Sequence, residues 1–413
     1  MPINNFTSAH MNISPHNLFV NEQDDAIIIL NTISGAIFEL EKSIYDKYQN
    51  SNENEYKNLP YYSELLDLGF FSSYADSEIR GKTLTIVLSL SEKCNLKCYY
   101  CFEKVIPKQN NNSDVHRNVP ELLDAYLSNN QEIDSVFVIW FGGEPLMEAK
   151  KIQSLSKSFI EICDNYKKTY SATIITNGTL LNDEFISNIG ALHIRSIQLT
   201  IDGGLNKFID NKSGNQHLWQ SFNEALCKIT NKIIDVKLRI NVDRDNILSI
   251  KEYLTELAER GVLNMVNISI SKIDTLCKAK ELSYEEFYKH KLGIIRYLLE
   301  NLEYQRIDEI FKELSPIDTA CSIRSKNAIV IDSQGKCHKC EDDIGLFSPI
   351  DISDIRASIN EINNNTLQDR NCNNCVIYPI CKGGCPKHWD KSNCVYKIEY
   401  ITNLARIKYN NLI

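Results

Sequence analysis

The sequence predicts an α/β protein built on a parallel sheet, with a small unit before that sheet and a cysteine-rich one after it. Three observations lead there. Apolar, β-branched runs alternate with helical patterns from residue 81 to 305, polar or glycine-bearing segments close several of those runs, and the cysteines gather in groups.

Residues 1–80 come first. Ala26–Leu30 and Ala36–Leu40 read as strands with the turn Asn31–Gly35 between them. Helical patterns follow through Ile44 and Tyr48, then over Tyr61–Leu68, stopping at Gly69. A hairpin followed by helices is a compact domain rather than a linker. In residues 81–305 the strand candidates are Thr83–Leu90, Ser135–Phe141, Ser171–Thr176, Arg195–Ile201, Val236–Val242 and Met265–Ser271. Most are continuous apolar runs, as expected of parallel strands buried on both faces. Helical stretches intervene at Lys150–Tyr166, Asp183–Ile189, Trp219–Ile229 and Ser249–Arg260. Six such units imply right-handed crossovers and a sheet either open or curved into a partial (β/α)6 barrel. Ligands of such sheets bind at the C-terminal ends of the strands. A long helix from Tyr284 to about Gln305 ends this region, and residues 306–413 form the third unit. That unit has few long apolar segments, and metal clusters are one way to staple such a domain. Gln109–Ser113 and Asn363–Asn365 read as exposed polar loops.

Composition narrows the function. An apolar fraction of 43% and a charged fraction of 24% are those of an ordinary globular protein. A formal charge of −9 argues against surfaces that track nucleic-acid phosphates or anionic membranes, so neither is expected as a partner. No run approaches the roughly 18 apolar residues that span a bilayer. The N-terminal residues lack a basic segment followed by an apolar one, so a cytoplasmic location is expected. In a reducing compartment, clustered cysteines more often bind metal or do redox chemistry than form disulfides. Of the 14 cysteines, Cys163, Cys227 and Cys277 stand singly and read as inert thiols; the rest lie in Cys94–Cys101 and Cys321–Cys394.

Cys94, Cys98 and Cys101 follow the first strand of the repeating region as CxxxCxxC. Three thiolates can hold a [4Fe–4S] cube and leave its fourth iron open. A structural zinc would want a fourth ligand, and none is spaced nearby in sequence. With Tyr100 before the last cysteine, the motif resembles that of the radical S-adenosylmethionine (radical SAM) superfamily. Gly142-Gly143-Glu144-Pro145 closes the second strand, where that family places the GGEP segment that holds the methionyl amine. Glycines let backbone approach a ligand, and Glu144 can pair with a cationic amine. Thr176-Asn177, Thr200 with Asp202, and Arg239 with Asn241 end the next three strands and resemble the family's further SAM-contacting segments. Each, taken alone, also reads as a polar cap on a buried strand. One departure stands out: Asn206–Asp210 replaces the His-Asp pair common in relatives, so substrate handling there does not carry over.

Cys321, Cys340, Cys372, Cys375, Cys381, Cys385 and Cys394 resemble the SPASM extension of the same superfamily, which holds two auxiliary [4Fe–4S] clusters. The resemblance assigns Cys372, Cys375, Cys381 and Cys394 to an outer cluster, and Cys321, Cys340 and Cys385 to an inner one. Cys337 either completes the inner cluster or exchanges with Cys340. A four-cysteine zinc site remains the alternative for Cys372–Cys385. By position, Glu341 or Asp342 corresponds to a general base of a related maturase class, and a solvated acidic loop is the other reading.

The resemblance implies SAM and three [4Fe–4S] clusters as cofactors, with a low-potential donor such as flavodoxin or ferredoxin. It also implies a peptide substrate. Residues 1–80 resemble the winged-helix domains by which such maturases bind a precursor's leader, adding it as a strand to a sheet edge. The expected activity is hydrogen abstraction from a ribosomally made precursor peptide, followed by a thioether or carbon–carbon crosslink. The alternatives are a formylglycine-generating sulfatase maturase and a non-catalytic iron–sulfur carrier or regulator.

Overall fold

A computed structural model describes residues 13–22, 25–74, 82–101, 115–232, 234–273, 280–317, 321, 325, 327–341, 350–352, 355–364, 372, 375–385 and 393–411. In chain order the elements begin with β1 (Asn17–Glu22), β2 (Ala26–Asn31), β3 (Ile37–Glu41), α1 (Lys42–Asn50), α2 (Glu53–Tyr56) and α3 (Tyr62–Asp67). Then come β4 (Thr83–Ser89), α4 (Val119–Asn129), β5 (Ser135–Phe141), α5 (Ala149–Asn165), β6 (Thr169–Thr176) and α6 (Asp183–Asn188). Next are β7 (Ile194–Ile201), α7 (Leu205–Lys212), α8 (Gln216–Thr230), β8 (Asp235–Val242), α9 (Ile247–Glu259), β9 (Asn267–Lys272) and α10 (Tyr284–Glu300). The chain ends through α11 (Ile307–Phe311), β10 (Ala328–Ile331), β11 (Lys336–His338), β12 (Ile350–Asp351), α12 (Ile355–Asn364), α13 (Tyr378–Cys381) and α14 (Asn393–Asn410).

Two compact units result. The larger comprises residues 80–307 and 321–367, the smaller residues 1–79, 308–320 and 368–413. This differs from the division at 80 and 305 read from the sequence. The reason is Ala328–Ile331, four apolar residues that are all buried and pair in parallel with β4, from Ala328↔Thr85 to Ile331↔Leu88. A run that short gives little periodicity, so its membership of the main sheet does not show in the sequence.

In the larger unit the sheet has nine strands in the order β12-β11-β10-β4-β5-β6-β7-β8-β9. Strands β4 to β9 are parallel in chain order, and of the nine strands in this sheet β11 alone runs against them, pairing antiparallel with β10 and β12. Leu84, Val136, Val138, Ile174, Leu199 and Leu238 are fully buried on these strands. On β5 and β7 such residues alternate with partly buried ones, so one face of these strands is sealed and the other partly covered. Asn182, Asn215 and Ser283 cap the starts of α6, α8 and α10 through side-chain oxygens. The α10 helix stops at Glu300, short of Gln305, and Asn363 and Asn364 lie in α12 rather than in a loop. Gln109–Ser113, Asn365 and Cys277 lie outside the described residues.

The smaller unit opens with an antiparallel sheet ordered β1-β2-β3. Its core joins Ile27, Ile29 and Leu40 to Ile44, Tyr48, Tyr56 and Leu65 from the helices and to Phe70 in the turn after α3. The last helix, α14, packs on β1, and Arg406 Nη2 donates to the Val20 carbonyl at 2.6 Å. No helix among the described residues is long and apolar enough to cross a membrane.

One buried histidine gives the larger unit a pH-sensitive tie. His116, 2% exposed, meets the Asp332 carbonyl at 3.0 Å through Nε2. A carbonyl only accepts, so Nε2 carries the proton and Nδ1 is left buried without a partner. Burial is the main reason its pKa falls to about 4. Below pH 6.5 the unfolded chain takes up this proton while the folded one does not, so acidification from 6.5 towards 4 costs stability. Denaturation at stepped pH should show this loss, at most about 3 kcal/mol, and His116→Gln should flatten it. An unchanged slope in the variant would contradict the assignment.

Candidate active site

The cysteine loop leaves the C-terminal end of β4 and is fastened on two sides. On one side is the turn after β5. Gly143 N donates to the Ser91 carbonyl at 2.8 Å and Glu144 N to the Lys93 carbonyl at 2.9 Å. A Cβ on Gly143 would stand 2.5 Å from the Lys93 oxygen, and one on Gly142, where φ is +118°, 2.6 Å from the Ser91 oxygen. Both glycines are therefore required by the approach of this turn to the cysteine loop itself. Pro145 opens a short 3-10 turn, where its missing N–H leaves no bond unmade.

Glu144 is held by its neighbours. The side chain is fully buried and both carboxylate oxygens are taken. Oε1 accepts from Thr176 Oγ1 at 2.6 Å and Leu146 N at 3.0 Å, and Oε2 from Asn177 N at 2.8 Å. It ties the end of β5 to the end of β6. Burial pushes its pKa up, against the pull of these three donors. Asn177 extends the tie, donating to Asn95 Oδ1 at 2.9 Å and approaching Cys94 Sγ at 3.9 Å. Asn95 in turn donates to Thr179 Oγ1 at 2.8 Å.

The other side is set by α7 and the ends of β7 and β8. Lys97 N donates to the Lys212 carbonyl at 2.9 Å and Tyr99 N to the Asn211 carbonyl at 2.8 Å. Tyr100 Oη reaches both oxygens of Asp202, at 2.9 and 3.0 Å, and Tyr99 Oη reaches Asp243 Oδ2 at 3.0 Å. Asp202 is fully buried with an ion-pair partner, Lys212 Nζ, 3.9 Å away. Arg239 Nε donates to Asn241 Oδ1 at 3.1 Å, and Thr200 offers its carbonyl to Lys212 Nζ at 2.6 Å. Tyr100, Thr176, Asn177, Thr200, Asp202, Arg239 and Asn241 thus gather around the loop at the strand ends. Tyr99, Asn211, Lys212 and Asp243 were not singled out from the sequence. A lysine and an asparagine on an eight-residue helix carry the pattern of a solvated face, whereas here both are buried.

The three thiols are neighbours. Burial pushes the Cys94 thiol up to about 11, and Glu144, Cys98 and Cys101 nearby push it the same way. Burial also raises Cys98, with the charge of Lys212 opposing. Leu96 N already donates to Cys94 Sγ at 3.4 Å. Among the described residues no three such side chains stand in closed ligating geometry. The donor set is nevertheless that of a three-thiolate iron–sulfur site: three cysteines on one loop, with N–H groups aimed at sulfur and a positive charge beside it.

In the smaller unit, Cys375 is raised first by burial and then by Cys381, Cys394 and Cys372, so four thiols share one locality. Lys397 Nζ lies 3.2 Å from Cys381 Sγ. In the larger unit Cys337 is buried on β11, with Cys321, Cys340 and Glu341 partly exposed. Cys385 is placed in the smaller unit, and Asp342 lies outside the described residues.

A parallel α/β sheet with a three-cysteine loop at its strand ends defines a class of iron–sulfur enzyme domain. Residues 88–242 match the Radical SAM superfamily model, and this segment of the chain is a radical SAM domain. Such a domain implies SAM and a [4Fe–4S] cluster as cofactors. An uncharacterised protein of Methanocaldococcus jannaschii is 25% identical over 65% of this chain and 88% of its own. A serine-type anaerobic sulfatase-maturating enzyme of Klebsiella pneumoniae is 21% identical, over 71% of this chain and 79% of its own. Among solved structures, native anSMEcpe with bound AdoMet aligns at a TM-score of 0.58 and 15% identity, over 80% of this chain and 100% of its own. Streptococcus suis SuiB bound to precursor peptide SuiA aligns at 0.52 and 15%, over 92% of this chain and 99% of its own. These structural likenesses concern the fold.

Gly143→Ala should loosen the cysteine loop. Hydrogen exchange at residues 91–97 should speed by at least tenfold, and iron retained after anaerobic reconstitution should fall. Exchange in the loop equal to wild type would contradict the fastening described.

Proposed function

We propose that this protein is a radical SAM maturase that modifies a ribosomally made precursor peptide, installing a thioether or carbon–carbon crosslink. The observation that carries this reading is the N-terminal sheet. In it β3 has β2 on one side and no strand on the other among the described residues, which leaves an edge suited to an added peptide strand. The likeness to SuiB, a protein crystallised with its precursor peptide, extends over 92% of this chain and supports the same reading. In it residues 1–80 serve as a winged-helix-like recognition domain and the cysteine-rich C-terminal region as a SPASM extension.

Cys94, Cys98 and Cys101 would hold a [4Fe–4S] cluster, which together with SAM would supply the hydrogen-abstracting chemistry. The protein's own residues orient that chemistry. The turn at Gly142–Pro145 and the polar ends of β6, β7 and β8 surround the position where SAM binds. Tyr100, tied to buried Asp202, fixes the last turn of the cysteine loop. Cys372, Cys375, Cys381 and Cys394, all in the smaller unit, would hold an auxiliary cluster. Such clusters provide a route for the second electron to leave. Glu341 or Asp342 takes up the substrate's proton. A flavodoxin or ferredoxin supplies the first electron.

The 71% of the chain aligned with a sulfatase-maturating enzyme supports a second reading, oxidation of a seryl or cysteinyl residue to formylglycine. Anaerobic co-expression with a short peptide encoded beside this chain separates the two. The maturase reading expects a peptide lighter by two hydrogens and inert to aldehyde reagents. An aldehyde-reactive product would replace it with formylglycine formation, and an unmodified peptide from protein competent in SAM cleavage would contradict it.

A further inference from the structure

Lys212 is a cation in an unusual place. It ends α7, its side chain is 2% exposed, and Ser213 behind it turns the chain away at φ +51°. The last carbonyls of a helix have no partner within the helix. Here those of Asn211 and Lys212 accept from Tyr99 N and Lys97 N, the residues on either side of Cys98. The lysine side chain runs back beneath the same loop. Its Nζ donates to the Thr200 carbonyl at 2.6 Å and lies 3.9 Å from Asp202 Oδ1.

Cys98 is thus clamped by backbone and faced by buried charge. Two carboxylates share this locality: Asp202, held by Tyr100, and Asp243, held by Tyr99 and by Asn211 Nδ2 at 3.1 Å. In a poorly solvated site they oppose the arrival of further negative charge. A one-electron reduction of a cluster bound through Cys98 delivers just such a charge. Lys280 also stands near, 5.0 Å over the Tyr99 ring, but it is partly exposed and water screens it. The fully buried cation at this position is Lys212.

We propose that Lys212 is a positioning and charge-compensating residue for the cluster of Cys94, Cys98 and Cys101, fixing Cys98 and easing the cluster's one-electron reduction. This rests on the reading of those three cysteines as cluster ligands. The electron comes from the low-potential donor and stays on the cluster until SAM takes it, so no other reactant is needed. Asp202 and Lys212 form one unit, with the aspartate holding Tyr100 and the lysine offsetting the aspartate's charge.

The test is the midpoint potential of the electron paramagnetic resonance signal that changes when SAM is added, a property that marks this cluster among any others. Measured on the full reconstituted chain, Lys212→Met should lower the reduction equilibrium by about tenfold, ~59 mV for one electron. Lys212→Arg should restore most of it, and Asp202→Asn should move it the opposite way. Lys212→Met holding its SAM-responsive signal at the wild-type potential would overturn the proposal. If that variant fails to retain the cluster, Asp202→Asn decides: a raised potential supports the compensation and an unchanged one overturns it. Absence of any SAM-responsive signal in the wild-type protein would instead sink the ligand reading on which the proposal stands.

Discussion

Two buried carboxylates at the strand ends, Glu144 and Asp202, are the constraint on which the site depends. Each is sealed from solvent and each has its oxygens occupied by neighbouring elements. A buried carboxylate is costly unless it is bonded from every side. That cost fixes where the donors must stand. Glu144 draws the start of the turn after β6 to the end of β5. Asp202 draws Tyr100 of the cysteine loop and Lys212 of α7 to the end of β7. Because Gly143 N and Glu144 N also donate to Ser91 and Lys93, both sides of the cysteine loop inherit their position from these two acids.

The parallel sheet makes this arrangement possible. With helices on its faces and apolar residues along its strands, the main sheet offers polar chemistry only at its ends. The loop of three cysteines sits at one such end, and the polar residues closing β6, β7 and β8 converge on it. The site is built from short contacts among backbone groups and buried side chains. Burial raises the pKa of the Cys94 and Cys98 thiols, and a bound metal charge would act in the opposite direction.

Much of this was legible in the sequence, and the failures have physical causes. The six parallel strands showed because long buried runs are hard to read otherwise; Ser135–Phe141 matches β5 to the residue. Missed were β1, whose mixed burial and polar residues weaken its period, and the four-residue β10. Helix α7 was missed because eight residues with two lysines, two asparagines and an aspartate resemble a solvated loop. The GGEP turn was recognised, but the work of its parts was not. Sequence does not show that the Glu144 carboxylate also accepts from Thr176, Asn177 and Leu146. Nothing in one sequence reveals that Lys212 turns inward, since burial of a charge is decided by partners distant along the chain.

The central claim is that the cysteine loop held by these acids makes the protein a SAM-cleaving enzyme. The most direct test is release of 5′-deoxyadenosine from SAM by anaerobically reconstituted protein under a low-potential reductant. The account expects release from the wild type and none from the variant carrying Cys94→Ala, Cys98→Ala and Cys101→Ala. Equal yields from the two proteins, or none from a wild type that has taken up iron and sulfide, would contradict it.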